Sequence, residues 1–437
     1  MVNRIVLGML EPPGKGWYLL FALALMAVFT GGVAWSRQIL IGLAQAGKNV
    51  PVAWGFYITN FVFWVGIAHS GTLISAVLYL FRARFRMPVY RIAEAMTVFA
   101  VLTAGLFPIV HLGRPWFFYW LMPYPNERAI WPNFRSPLIW DVFAVSTYLT
   151  VSMTFFIVGL IPDLAAARDG ATTKFRKTLY SITSLGWSGT NAQWKHYTSS
   201  YLLFAALATP LVVSVHSVVS WDFAMSIVPG WHSTIFPPYF VAGAIFSGVA
   251  MVITLMVPIR TYFHLDTLIR IDHFEALAKL LLTTSTIVTF SYACEFYVGW
   301  LSPNPYEKAQ FLYRAAGDYS PLFWLMVFCN CLVPLVLWFR RARTSIRTLF
   351  IVSILVNIGM WLERFNIIAQ SLSHDYLPSS WGLYNFSWTD IAITTGAFGW
   401  FSMWMLLFIK FFPAVSVAEM KEIIPPPDRK RTGGPAI

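Results

Sequence analysis

Charge is what this sequence has least of: only 11% of its 437 residues are Asp, Glu, Lys or Arg, while 57% are hydrophobic. A soluble globular surface cannot be built from so little charge, which leaves a polytopic membrane protein. Cysteine is nearly absent too. Cys294, Cys329 and Cys331 all lie in apolar runs with no CxxC-type cluster, which excludes both an iron–sulfur cluster and a disulfide framework within this chain. Histidine is sparse, and no apolar run holds two. A bis-His haem needs axial imidazoles on facing helices. The best intramembrane pair here, His69 with His216, falls at different estimated depths. Acidic residues are also few, giving a net charge of +12. The basic residues sit in short segments between apolar runs, which points to the membrane surface and not to nucleic acid.

What is present is a series of ten apolar runs long enough to cross ~30 Å of hydrocarbon: 17–36, 52–81, 92–110, 138–161, 201–219, 239–257, 277–300, 322–339, 348–369 and 391–412. The first exceeds a signal-peptide core and is expected to be a true span. All ten are expected to be helices, since lipid offers no partner to unsatisfied backbone groups and the runs are twice barrel-strand length. The fold class is therefore all-α. The tail 425–437 has the composition of a disordered segment.

Counting Lys and Arg in alternate inter-span segments gives 21 on one side and 7 on the other. The more basic side, which carries both termini, is expected to be cytoplasmic, in a bacterial inner membrane. Four long, aromatic, weakly charged loops (113–137, 220–238, 301–321 and 371–390) then face outward. Loops of this length read as a docking surface, beyond the Trp and Tyr that an interface collects anyway.

There is an internal echo. SPLIW at 136–140 and SPLFW at 320–324 are offset by 184 residues, and the same offset carries His111 onto Glu295. RIAEA and HFEALA place Glu94 and Glu275 near that offset. This suggests two parallel-repeat four-helix bundles, spans two to five and six to nine, with spans one and ten peripheral. The corresponding divisions are 1–51, 52–219, 220–370 and 371–437.

The chain is organised around 111–141, HLGRPWFFYWLMPYPNERAIWPNFRSPLIWD, which leaves one span at His111 and enters the next at Asp141. At 1.5 Å per residue, Asp141 lies roughly 5 Å inside the outer boundary and Glu295, Glu363 and Arg364 about 7–10 Å inside. His111, Arg114, His216 and Asp222 sit at that boundary, and only His69 reaches the middle. Glu363 and Arg364 are adjacent in WLERF and are expected to point to different sides of their helix, without pairing. Arg364 is then free to neutralise Asp141 or Asp222. One reading is a set of structural ion pairs tying helices together. The other is a proton-accepting site, with an imidazole and a carboxylate around one hydroxyl-bearing ligand. His69, beside Ser70, Gly71, Thr72 and Ser75, is either a packing histidine or a proton relay. A secondary transporter would more often show inverted repeats and midplane sites.

Five stretches resemble the polysulfide reductase/NrfD family of quinone-reactive membrane subunits: FVFWVGIAHSGTLISAVL (61–78), HLGRPWFFYW (111–120), NFRSPLIWD (133–141), SVHSVVSWDFAMSIVPGWHSTIFPPYFVAGAIFSG (214–248) and NIGMWLERF (357–365). The similarity is to the ten-span, quinol-oxidising C subunit of alternative complex III. The resemblance implies a subunit without haem or iron–sulfur cluster of its own that oxidises menaquinol or another quinol near the outer face and releases protons there. Electrons would pass to a periplasmic iron–sulfur protein and then to c-type cytochrome subunits, beside a homologous ten-span membrane subunit. It implies His111 and Asp141 as catalytic residues, with Arg114, Trp116, Phe117, Asp222 and Arg364 around the quinone. His69, Glu94, His216, Glu295 and Glu363 are candidates for a proton path, and no metal site is implied. The alternatives left open are the second homologous ten-span subunit of that complex, with a proton-conducting or structural role, a haem-b anchor and a secondary transporter.

Overall fold

The computed structural model describes residues 6–11, 13–123 and 132–423. Arg4, Arg128 and the tail 425–437 lie outside the described residues. Within them the chain is helical, with no strand, and ten helices are long and apolar enough to cross a bilayer. They are α1 (Lys15–Ile41), α2 (Gly55–Leu80), α3 (Tyr90–His111), α4 (Pro137–Asp169), α5 (Asn191–Ala224), α6 (Phe236–Tyr262), α7 (Ile271–Leu301), α8 (Ser320–Trp338), α9 (Ile346–Ser373) and α10 (Trp388–Phe411). Most extend beyond the apolar run that predicts them. Helix α5 starts at Asn191 because Thr190 and Gln193 form a reciprocal capping box, so a polar first turn propagates as helix before the apolar run begins.

Successive spans bring the described connecting residues 42–54, 112–123, 132–136, 225–235, 302–319 and 374–387 to one end. Contacts across that end confirm the grouping. Gly47 N–H donates to Asp390 Oδ2 at 2.8 Å and Asn49 Nδ2 to the Leu383 carbonyl at 2.7 Å. At the other end Tyr180 donates to the Phe411 carbonyl at 2.9 Å, and Arg86 pairs with Glu419 at 2.9 Å.

Helices α2 and α6 are buried along most of their length and form the centre, with α2 against α3, α6 and α9, and α6 against α5, α7 and α9. Helix α1 is mostly exposed and rests on α10. Lipid tails are as apolar as the side chains, so association depends on close approach and interhelical hydrogen bonds. A Cβ on Gly31 of α1 would stand 2.8 Å from the Gly396 Cα of α10, and a Cβ on Gly248 of α6 would stand 2.0 Å from Ser70 Oγ of α2. Only glycine permits those two approaches. Asn60 of α2 donates to Thr394 of α10 at 2.8 Å and accepts from the Trp361 indole of α9 at 2.9 Å. That side chain ties three helices together, at ~1 kcal/mol per bond.

The two SPLxW starts behave alike locally. Pro137 and Pro321 each stand in a first helical turn. The Trp140 and Trp324 indoles each donate at 2.9 Å to a carbonyl of the preceding segment, Phe134 and Ala315.

Candidate functional site

His111 closes α3, Asp141 enters α4 one turn after Pro137, and Asp222 lies in the last turn of α5. All three ends meet on the same side of the bundle, where the residues line a cavity of about 260 Å³. Its other walls are mostly apolar, among them Ile58, Phe61, Leu138 and Val145, with the Ser146 hydroxyl another polar group. Larger grooves between α1, α6 and α10 and between α2, α6, α9 and α10 are lined without a His, Asp or Glu.

The Asp141 and Asp222 carboxyl groups interact directly with each other, and neither forms an ion pair with a described cation. Two carboxyl groups side by side in a cavity are placed to pass a proton from one to the other. Neither Arg114 nor Arg364, both expected near these carboxyl groups, forms an ion pair with them. Arg114 is exposed on the segment after α3, and Arg364 is engaged elsewhere.

His111 is held from its Nδ1 side. Lys48, in the connection between α1 and α2, places Nζ 2.9 Å from His111 Nδ1 and 3.3 Å from the His111 carbonyl oxygen. Burial lowers the Lys48 ammonium from the ordinary lysine range to about 8, against the opposing pull of the Asp390 carboxylate. The other imidazole nitrogen, Nε2, makes no hydrogen bond to a described residue and is available to a ligand. Lys48 is absent from the expected site because nothing in its local sequence distinguishes it from an ordinary loop charge.

The segment Pro115–Leu121 is a 3₁₀ helix, in which residues three apart eclipse. Phe118 and Leu121 accordingly share the face that lines the cavity. Trp116, which is exposed, and Phe117, which stacks on Trp120 at 4.6 Å, do not line it. Of the three consecutive aromatics 116–118, Phe118 is the one that joins Trp54 and Phe61 in lining the cavity.

The family model for polysulphide reductase, NrfD, matches residues 44–374. The chain belongs to the NrfD family. It is similar to the proposed C membrane subunit of a dimethyl sulfoxide reductase of Halobacterium salinarum, at 27% identity over 84% of this chain and 79% of the relative. It is 23% identical to the C subunit of selenate reductase of Mesobacillus selenatarsenatis, over 70% of this chain and 71% of that one. It is 21% identical to the Hdr-like menaquinol oxidoreductase integral membrane subunit of Archaeoglobus fulgidus, over 93% and 94%. This NrfD-family chain is an integral, multi-pass membrane protein.

The remaining candidates in this NrfD chain separate into three buried groups. In the first, the His69 and His216 rings lie 4.4 Å apart between centroids, in direct contact. Their depths match, contrary to the sequence estimate, because α5 is longer than its apolar run and positions its residues differently. His69 Nδ1 bonds the Val65 carbonyl at 2.6 Å, and both nitrogens of His216 are unpartnered among the described residues.

In the second group Glu363 and Arg364 pair with each other at 2.6 Å, although neighbours on a helix diverge by ~100°. Two long side chains confined in one buried space bend back to meet, since a lone charge there is too costly. Arg364 also lies over the Phe240 ring at 4.3 Å, and Tyr292 donates to Glu363. Arg364 does not line the His111 cavity. Nearby, Glu295 pairs with Arg314 at 2.5 Å.

The third group lies at the opposite end of the bundle. Arg91 bonds Glu94 at 2.9 Å, Asp163 at 3.0 Å and the Gly159 carbonyl at 2.6 Å. Tyr201 donates to Glu94 at 3.0 Å. Asp163 Oδ1 accepts from the Val417 and Ala418 amides at 2.9 and 3.0 Å, holding down the C-terminal helix Val417–Ile423.

Proposed function

We propose that this chain is the quinol-oxidising membrane subunit of an oxidoreductase complex, with its site in the cavity shared by His111, Asp141 and Asp222. The observation that carries the reading is the convergence of an imidazole and a carboxyl pair in a mostly apolar cavity at the ends of three helices. Quinol must lose two protons as it loses two electrons, and the cavity offers two separate proton stations. Nε2 of His111 takes one hydroxyl proton and the Asp141–Asp222 pair takes the other, each within reach of the aqueous end. Phe118, Leu121 and the apolar wall accept the ring and the start of the isoprenoid tail. The name of the Archaeoglobus relative, a menaquinol oxidoreductase subunit, supports menaquinol as the quinol class.

Electrons leave to an iron–sulfur subunit docked over the loops at that end, since the three cysteines of the sequence cannot hold a cluster. The 21-to-7 charge asymmetry supports cytoplasmic termini and an outward-facing site, with the protons released outside. Two complexes fit this subunit. The resemblance in 111–141 and 214–248 favours alternative complex III, with c-type cytochromes and a second ten-span subunit. The names of the Halobacterium and Mesobacillus relatives favour a reductase in which a partner reduces a terminal acceptor. The test is quinol oxidation per assembled complex in His111→Phe and Asp141→Asn. Each is expected to fall by ~10²-fold or more, the scale of a lost positioned acid–base group, with assembly preserved. Poor assembly with normal turnover in the surviving complex would make both residues structural.

A further inference from the structure

The contact that the quinol reading leaves unused is Lys48 on His111. An ammonium has three N–H donors and no acceptor. While Lys48 is charged it can only donate to Nδ1, which fixes neutral His111 with its proton on Nε2. In that state Nε2 cannot accept a proton from a quinol. A neutral amine reverses the bond. It keeps one N–H on the His111 carbonyl, 3.3 Å away, and offers its lone pair to Nδ1–H, 2.9 Å away. Nε2 then becomes the acceptor.

We propose that Lys48 and His111 act as one proton relay, in which His111 Nε2 takes a quinol proton while Nδ1 hands its own to the neutral Lys48 amine. The inference rests on the quinol reading of the cavity. The step is balanced without an oxidant: the quinol O–H and the His111 Nδ1–H bonds break, and Nε2–H and Lys48 N–H bonds form. The products are a quinolate in the cavity, a neutral imidazole and an ammonium. Each proton moves across one hydrogen bond, so a proton leaves the cavity for the connection between α1 and α2 and the quinolate stays behind, ready to lose electrons.

The surroundings suit a group that must hold a proton and then lose it. Lys48 is half-buried. From α2, the Tyr57 ring faces Nζ at 4.6 Å, which favours the ammonium. From α10, Asp390 favours it as well, and is itself fixed by the Gly47 amide at 2.8 Å and by Ser387 Oγ at 2.8 Å. From α3 comes His111. Burial opposes the charge and sets Lys48 near 8, so both forms are populated close to neutrality.

A bland role is available: a lysine at a helix C-terminus bonding the last carbonyl. The two roles part at Lys48→Arg. Arginine retains the charge and the donors but never becomes an acceptor. Turnover of a short-chain naphthoquinol would be measured in the assembled complex from pH 6 to 9.5 for the native protein, Lys48→Arg, Lys48→Met and His111→Phe. The relay predicts that native turnover rises through about pH 8, as Lys48 becomes neutral. It also predicts that Lys48→Arg loses tenfold or more at every pH, on the scale of ~10²-fold for a positioned base, and that Lys48→Met loses the rise near pH 8. Native-like turnover and pH profile in Lys48→Arg would overturn the relay and leave a capping lysine. Native rates in His111→Phe would instead overturn the quinol site, whatever the Lys48 variants do.

Discussion

Replacing Arg91 by Met is the sharpest structural perturbation available, because it strips three buried acceptors of one cation. The Arg91 side chain is fully buried, and it contacts Glu94, Asp163 and the Gly159 carbonyl within 3.0 Å. Methionine fills much of the volume but leaves the buried Glu94 and Asp163 carboxylates without their shared cation. Removing one partner of a buried ion pair costs about 3–5 kcal/mol. Since 1.4 kcal/mol is roughly a factor of ten, the unfolding equilibrium shifts by a factor of ~10² or more. The assay is the unfolding midpoint of the purified complex in mixed micelles, with proteolysis of 417–423 as a second reading, because Asp163 also anchors the Val417 and Ala418 amides. Neutralising the carboxylates in Arg91→Met/Glu94→Gln/Asp163→Asn should recover most of the loss, since the penalty is unpaired charge and not lost packing. An unchanged midpoint in the single variant, or a triple variant no better than the single, would refute this reasoning.

Other outcomes follow from the same geometry. Phe118→Ala should raise the KM for quinol by up to roughly tenfold, the value of one aromatic contact with the bound ring, while Trp116→Ala leaves KM unchanged; steady-state kinetics with a short-chain naphthoquinol compares them. Arg364→Met should weaken the assembled complex without changing the quinol KM, and Arg364→Met/Glu363→Gln should restore its thermal midpoint. The folded protein holds Lys48 near 8 against about 10.4 when unfolded, so the unfolded chain binds more protons between those values. Stability should therefore rise from pH 8 to pH 10 in the native protein relative to Lys48→Met, as read from paired thermal midpoints. Single cysteines placed at 115–121 should react with an impermeant reagent in intact cells, and cysteines at 174–183 only after lysis.

The ten spans were legible because length and unbroken apolarity leave a membrane segment few alternatives. The meeting of His111 with Asp141 was legible from a single stretch that ends one span and begins the next. What was not legible depended on side-chain direction or on segments far apart in the chain. The 3₁₀ register of Pro115–Leu121 chooses Phe118 over Trp116 and Phe117, and no apolar pattern distinguishes three consecutive aromatics. The Glu363–Arg364 pair defied helix geometry because long buried side chains reach around the backbone. The Arg91–Asp163 cluster escaped notice because α4 runs as helix to Asp169, well past its apolar run. Lys48 reaches His111 from 63 residues away, a proximity that only the packing of α2 and α3 creates.

The central claim is that the His111, Asp141 and Asp222 cavity holds the quinol head group. A density map of the complex with a naphthoquinone bound tests it most directly. The account predicts head-group density between His111 Nε2 and the Asp141–Asp222 carboxyls, with the ring against Phe118 and the tail leaving between α3 and α4. Head-group density in the grooves lined by α1, α6 and α10, or beside Arg364, with the His111 cavity empty, would contradict it.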